Sequence, residues 1–192
     1  MDHIFENLSD CHELDAAELE GVLQQLRDAA RRDPAAFGEA VRSIPLDSGS
    51  RLYWVYAALA PVATEHAGFL VAEVRRLIEA LRDRTRGRHL VEAIEGLKGI
   101  RDDALQATLC DELVRHATSD SARVRRAVAW LVPDFDPAGR NRQTLQLLAA
   151  DPDWRVRVLA AYALEEYDGA PLGSTLRWQD ALRARLRDVW DW

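Results

Sequence analysis

The residues whose types suit chemistry are few, and their spacing decides what each can do. Asp10-Cys11-His12-Glu13, with His3 nearby, brings metal-ligating types together near the N-terminus. Consecutive side chains diverge, so they do not converge on one ion, and no second cluster supplies the missing ligands. No metal is expected. Cys110 and His116 stand six residues apart, which puts them on different faces of a helix and leaves Cys110 as a small apolar filler. Glu79 and Glu112 form a conceivable acid/base pair, but two carboxylates without a pocket read more simply as a solvated face. There is no Gly-x-Ser-x-Gly elbow, no P-loop and no dinucleotide fingerprint. The reading is therefore of a protein that is not an enzyme and carries no cofactor.

The remaining conspicuous residues are arginines and tryptophans. Arg82-Asp-Arg-Thr-Arg-Gly-Arg-His89 concentrates four arginines, but it includes an aspartate and lies in a connection, so it reads as a solvated loop rather than a phosphate grip. Of six tryptophans, Trp54 and Trp130 sit inside apolar helices and are expected in the core. Trp178, Trp190 and Trp192 fall in or after the last helix, where they either cap the core or form an aromatic patch of interface type.

Composition limits the class. A chain of 192 residues is long enough for one domain with a real core, and 48% apolar with 30% charged residues is the balance of a folded soluble protein. No apolar run approaches the roughly 20 residues of a bilayer span, and the acidic start lacks the pattern of a secretory signal. Two cysteines make no disulfide framework, which points to a reducing cytosol. Residues 1–50 hold 11 acidic and 4 basic side chains, so they carry the whole net charge of −7. An acidic protein is poorly suited to phosphate backbones and well suited to a basic partner.

Helix signals position these residues throughout, and no alternating apolar run suggests a strand. Asp15 with Glu18 reads as a capping box opening a helix to about Arg31, and Asp33-Pro34 opens a second to Ile44. An apolar helix from Leu52 to Ala60 is ended or kinked by Pro61. Helices follow over 67–84, 90–100, 104–117, 121–132 (closed by Pro133) and 142–150. Asp151-Pro152 repeats the capping logic for a helix to about Tyr167, and a last helix spans 178–190.

Two of these segments repeat. Ser119–Asp136 set over Asp151–Asp168, an offset of 32, aligns Arg123, Val124 and Arg125 with Arg155, Val156 and Arg157. The same offset aligns Ala129 with Ala161, Trp130 with Tyr162 and Asp136 with Asp168. Two helices per such period mark a solenoid. Asp151-Pro-Asp-Trp-Arg-Val-Arg-Val-Leu-Ala-Ala-Tyr-Ala-Leu164 resembles the HEAT-like repeat of phycobilin-lyase-type proteins, and Ser119–Leu131 is a degraded copy. The resemblance is specific over roughly residues 119–192 and fades upstream. It implies an all-α, right-handed α-α superhelix of about five helical pairs, a single domain over 1–192, with 1–47 as an N-terminal capping pair. It further implies that Arg125 and Arg157 pair with turn aspartates, Asp120 and Asp153 being the obvious ones. The second helices of the pairs (34–44, 67–84, 104–117, 142–150, 178–190) would form the concave face.

The function this leads to is binding of a macromolecular partner, a protein and one of basic character, in the bacterial cytoplasm. An immunity protein or antitoxin is the more specific form. The expected contact set is Arg76, Arg115, Arg142, Gln146, Trp178 and Arg183. Nucleic acid is disfavoured and no membrane is expected. The alternatives are a HEAT-like enzyme (DNA glycosylase-like or bilin lyase-like), a nucleic-acid-binding repeat protein, which needs a basic groove, and a subunit that acts by self-association.

Overall fold

The computed structural model describes residues 5, 8, 11, 13–83, 87–171, 174 and 176–186. These residues are predominantly helical, with no strand among them. The helices are α1 (Ala16–Arg32), α2 (Pro34–Ser43), α3 (Gly49–Leu59), α4 (Ala67–Ala80), α5 (Arg88–Glu95), α6 (Asp103–Val114), α7 (Ala122–Phe135), α8 (Arg142–Leu148), α9 (Trp154–Asp168) and α10 (Trp178–Leu186). Short 3₁₀ turns, Ala60–His66 and Gly96–Gly99, follow α3 and α5.

Local chemistry starts these helices largely where the sequence says. The Asp15 carboxylate accepts from the backbone N–H of Ala17 (2.8 Å) and Glu18 (2.9 Å), while Glu18 accepts from the Asp15 N–H, completing the capping box. Asp33 caps α2 through Ala36 N–H at 3.0 Å, with Pro34 at the first helical position. Asp102 does the same for α6 through Leu105 N–H at 2.8 Å.

Two boundaries differ from expectation, and at a third, Pro61, the structure decides between the two alternatives. Pro133 lies inside α7, which runs on to Phe135. The proline removes one helical hydrogen bond, but Leu131, Val132 and Phe135 are all fully buried, and keeping that apolar stripe in the core outweighs the lost bond. Helix α9 begins at Trp154 rather than at Pro152, and its N-cap is Asp153, which accepts from Arg155 N–H at 2.8 Å. Asp151 is engaged elsewhere, as described below. Pro61 kinks rather than ends its helix: the chain passes through the 3₁₀ turn, with a non-helical Val62, into α4. The joined stretch Gly49–Ala80 is consequently long and apolar enough, by length and composition alone, to cross a membrane, contrary to expectation. Its side chains Leu52, Val55, Leu59, Leu70, Val74 and Leu77 are buried in the core.

Packing follows chain order. Helix α3 packs on α1, α5 on α3, α7 on α5 and α9 on α7, while α4 packs on α6. Connecting contacts join α1 with α2, α4 with α5, α6 with α7, α8 with α9 and α9 with α10. Every substantial contact between helices joins elements no more than three apart in the chain. One close approach is at Gly96, where an added Cβ would lie 2.4 Å from the Tyr53 carbonyl oxygen of α3, so only glycine lets these backbones meet.

Candidate functional site

The repeat arginines tie successive turns together. Arg125 reaches Asp151 through Nε (2.6 Å) and Nη2 (3.0 Å), and its Nη1 donates to the carbonyls of Ser119 (2.7 Å) and Asp120 (3.1 Å). Arg157 repeats the arrangement, with Nε and Nη2 on Asp180 (2.7 and 2.8 Å) and Nη1 on the carbonyls of Asp151 (2.7 Å) and Pro152 (3.0 Å). The carboxylate partners are therefore Asp151 and Asp180, not Asp120 and Asp153. Each guanidinium lies across its own turn, so its outer fork is aimed at a carboxylate 23–26 residues further along the chain. Hydrogen bonding from Arg157 is the main cause that holds Asp180 below the usual carboxylate range. The Asp120 carboxylate instead lies 3.4 Å from Arg82.

A second set of ion pairs runs across α2, α4 and α6. Buried Glu73 accepts from Tyr56 Oη (3.0 Å), Arg42 Nε (3.2 Å) and Arg76 Nη2 (2.7 Å). Buried Glu112 accepts two bonds from Arg75 (2.7 and 2.9 Å) and one from Arg115 (2.8 Å). The solvated face expected for Glu112 is thus replaced by a closed ion pair, in which Arg75 chiefly holds its pKa down. Glu79, by contrast, is exposed. The repeated carboxylate-x-x-Arg spacing (Glu73/Arg76, Glu112/Arg115, Asp180/Arg183) was a signal available in the sequence for this set.

The expected contact residues can now be placed. Arg76 and Arg115 bridge to Glu73 and Glu112, Arg142 bridges to Asp168, and Arg183 lies 3.5 Å from Asp180. Gln146 is exposed, and Trp178 is 73% exposed. Trp190, Trp192, His3, Asp10 and His12 lie outside the described residues, whereas Cys11 is buried and Glu13 exposed. Among the described residues no group of three or more ligating side chains is placed to hold a metal. Burial pushes the Cys110 thiol up to about 12, and Asn141 Nδ2 donates to its sulfur at 3.3 Å, in keeping with a packed filler.

A different surface emerges on α5, α7 and α9. Trp130, expected in the core, turns to the outside of α7 and is 37% exposed. Its Nε1 donates to Glu95 of α5 at 2.6 Å, an attachment that local pattern did not reveal. Trp130 and Tyr162, the aromatic positions that align in the repeat, line one hollow of about 320 Å³ together with Lys98, Pro133, Asp134 and Glu166. Trp130 also borders an adjoining hollow of about 150 Å³ lined by Arg88, Glu92 and Glu95. The two form a trough with four carboxylates against two cations. Lys98 lies 2.9 Å from Asp134 and 3.2 Å from Glu95, and Arg88 2.8 Å from Glu92. Burial first, then the charges of Glu95 and Glu166, raise the Asp134 pKa in spite of Lys98. The Glu166 carboxylate is exposed and has no ion-pair partner among the described residues.

Fold and surface together define an all-helical protein with an acidic, aromatic trough. Compared with protein-family models, curated proteins and solved structures, the chain matches none of them.

Proposed function

We propose that this chain is a protein-binding module of stacked helical hairpins, of the HEAT-like kind that residues 119–192 resemble, and that it binds a basic partner through the trough on α5, α7 and α9. The stacked reading is supported by packing that stays between near neighbours in the chain and by the Arg125–Asp151 and Arg157–Asp180 links repeated from turn to turn. The observation that carries the binding site is the trough itself. It joins two partly exposed aromatic rings with an excess of carboxylates, the combination that favours a positively charged, well-packed partner.

Arg76, Arg115, Arg142 and Arg183 each already face a carboxylate of this chain, which favours the trough over that set as the contact surface. The same pairing leaves little uncompensated positive charge there for phosphate, which favours protein over nucleic acid. The acidic first 50 residues would add long-range attraction for a basic partner. A bacterial immunity protein or antitoxin acting in the cytoplasm on a basic toxin is the specific form of this reading.

The test is affinity capture from the organism that encodes the chain, run in parallel with wild type and a Trp130→Ala/Tyr162→Ala variant across a salt series. A basic protein held by wild type, released by salt and lost by the variant supports the proposal. A partner retained equally by both overturns the assigned surface, and recovery of duplex DNA in place of a protein overturns the class.

A further inference from the structure

We propose that the larger hollow of the trough is a socket for a single cationic side chain, that of an arginine or lysine presented by the partner. This inference rests on the protein-binding reading above and specifies the chemistry of its central contact. At about 320 Å³ the hollow stands at the small end of the range of binding pockets and has room for one arginine or lysine side chain. Trp130 comes from α7 and Tyr162 from α9, so the aromatic rings are contributed by two different helices. Aromatic faces attract cations, and indole does so most strongly. The Trp130 ring is oriented by its bond to Glu95, so it need not be ordered when a ligand enters.

Charge selects the same ligand. Lys98 is the internal cation of the hollow, and it is shared between Asp134 and Glu95. Glu166 on α9 remains exposed beside them. Asp134 and Glu166, the two carboxylates that line the hollow, against the one ammonium of Lys98 leave a negative charge that a second cation offsets and that an anion worsens. The Asp134 pKa is raised by burial first, and the charges of Glu95 and Glu166 add to that rise. A purely apolar side chain would fit the rings but would cover the Glu166 carboxylate without compensating its charge.

The experiment follows the indole N–H resonance of Trp130, assigned with Trp130→Phe, in the ¹⁵N-labelled full chain. The probes are a short peptide carrying one arginine and the same peptide with citrulline, which keeps the shape and removes the charge. Saturable movement of the Trp130 signal with an apparent Kd at least tenfold tighter for arginine, weakened several-fold in Glu166→Gln, is the expected result. Equal binding of the two peptides, or no movement with arginine, overturns the socket. The outcomes separate from those of the wider reading. A partner captured through the trough while citrulline binds as well as arginine removes only the socket, whereas capture that survives Trp130→Ala/Tyr162→Ala removes the surface.

Discussion

Arg125 closes a two-pronged ion pair with Asp151, 26 residues further along the chain, while its remaining nitrogen holds the two carbonyls of its own turn. Both side chains are largely shielded, at 13% and 5% exposure, so neither charge can return to water when its partner is lost. Asp151→Ala is expected to destabilise the fold by about 3 kcal/mol, as removal of one member of a buried pair does. The joint change Arg125→Met/Asp151→Leu should recover most of that loss. Urea unfolding checks both. A loss below about 1 kcal/mol, the range of an exposed pair, would mean that these links do not hold the turns together.

The Arg75–Glu112 pair predicts how stability depends on acid. The Glu112 pKa is lowered from its ordinary 4.5, first by hydrogen bonding from Arg75. A depressed carboxylate contributes stability that is present above the ordinary value and is lost as pH falls through the folded-state value. The urea midpoint should therefore stay level from neutral pH down to about pH 5 and fall below it. In Glu112→Gln it should start lower and fall less steeply on the acid side. Parallel acid arms for wild type and variant would show that this pair does not contribute to the acid response.

Gly96 and Gly21 make opposite predictions for the same substitution. A Cβ at position 96 would meet the Tyr53 carbonyl oxygen at 2.4 Å, and the helix α3–α5 contact has to open to admit it. Gly96→Ala should cost about 1–3 kcal/mol, the usual range for overpacking. Gly21 lies in α1 with nothing within 4 Å of an added Cβ, so Gly21→Ala should stabilise by about 1 kcal/mol through helix propensity. Thermal melts of the two variants, moving in opposite directions from wild type, are the check.

Cys110 is expected to be silent toward thiol reagents in the folded protein. Burial raises its pKa to about 12, so thiolate is scarce at neutral pH, and the sulfur is shielded from reagent as well. Colorimetric thiol titration should leave Cys110 unmodified in buffer and modify it fully in denaturant. Rapid modification of the native protein at this position would contradict the packing around α6.

Much of this architecture can be read without coordinates because it is written in short-range chemistry. Asp15 with Glu18, and Asp33 with Pro34, act within one helical turn, and the chain obeys them. The 32-residue repeat likewise marks Arg125 with Arg157, and Trp130 with Tyr162, as equivalent positions. The same reading placed Trp130 in the core, because an apolar helix shows a large aromatic residue without showing which neighbour will cover it.

Only the tertiary structure decided which partners these residues meet. Asp151 and Asp180, not Asp120 and Asp153, receive the arginines, since a guanidinium on a long stem reaches whichever carboxylate a neighbouring segment presents. Glu112 is held by Arg75 from 37 residues away, and Pro133 stays inside α7 because buried Phe135 draws the helix onward. The sequence alone determined where α1 and α2 begin and which positions repeat, because those preferences act between residues one turn apart. The trough and the ion-pair links depend on how separate helices lie against one another, and that is set by packing of the whole core rather than by any local pattern.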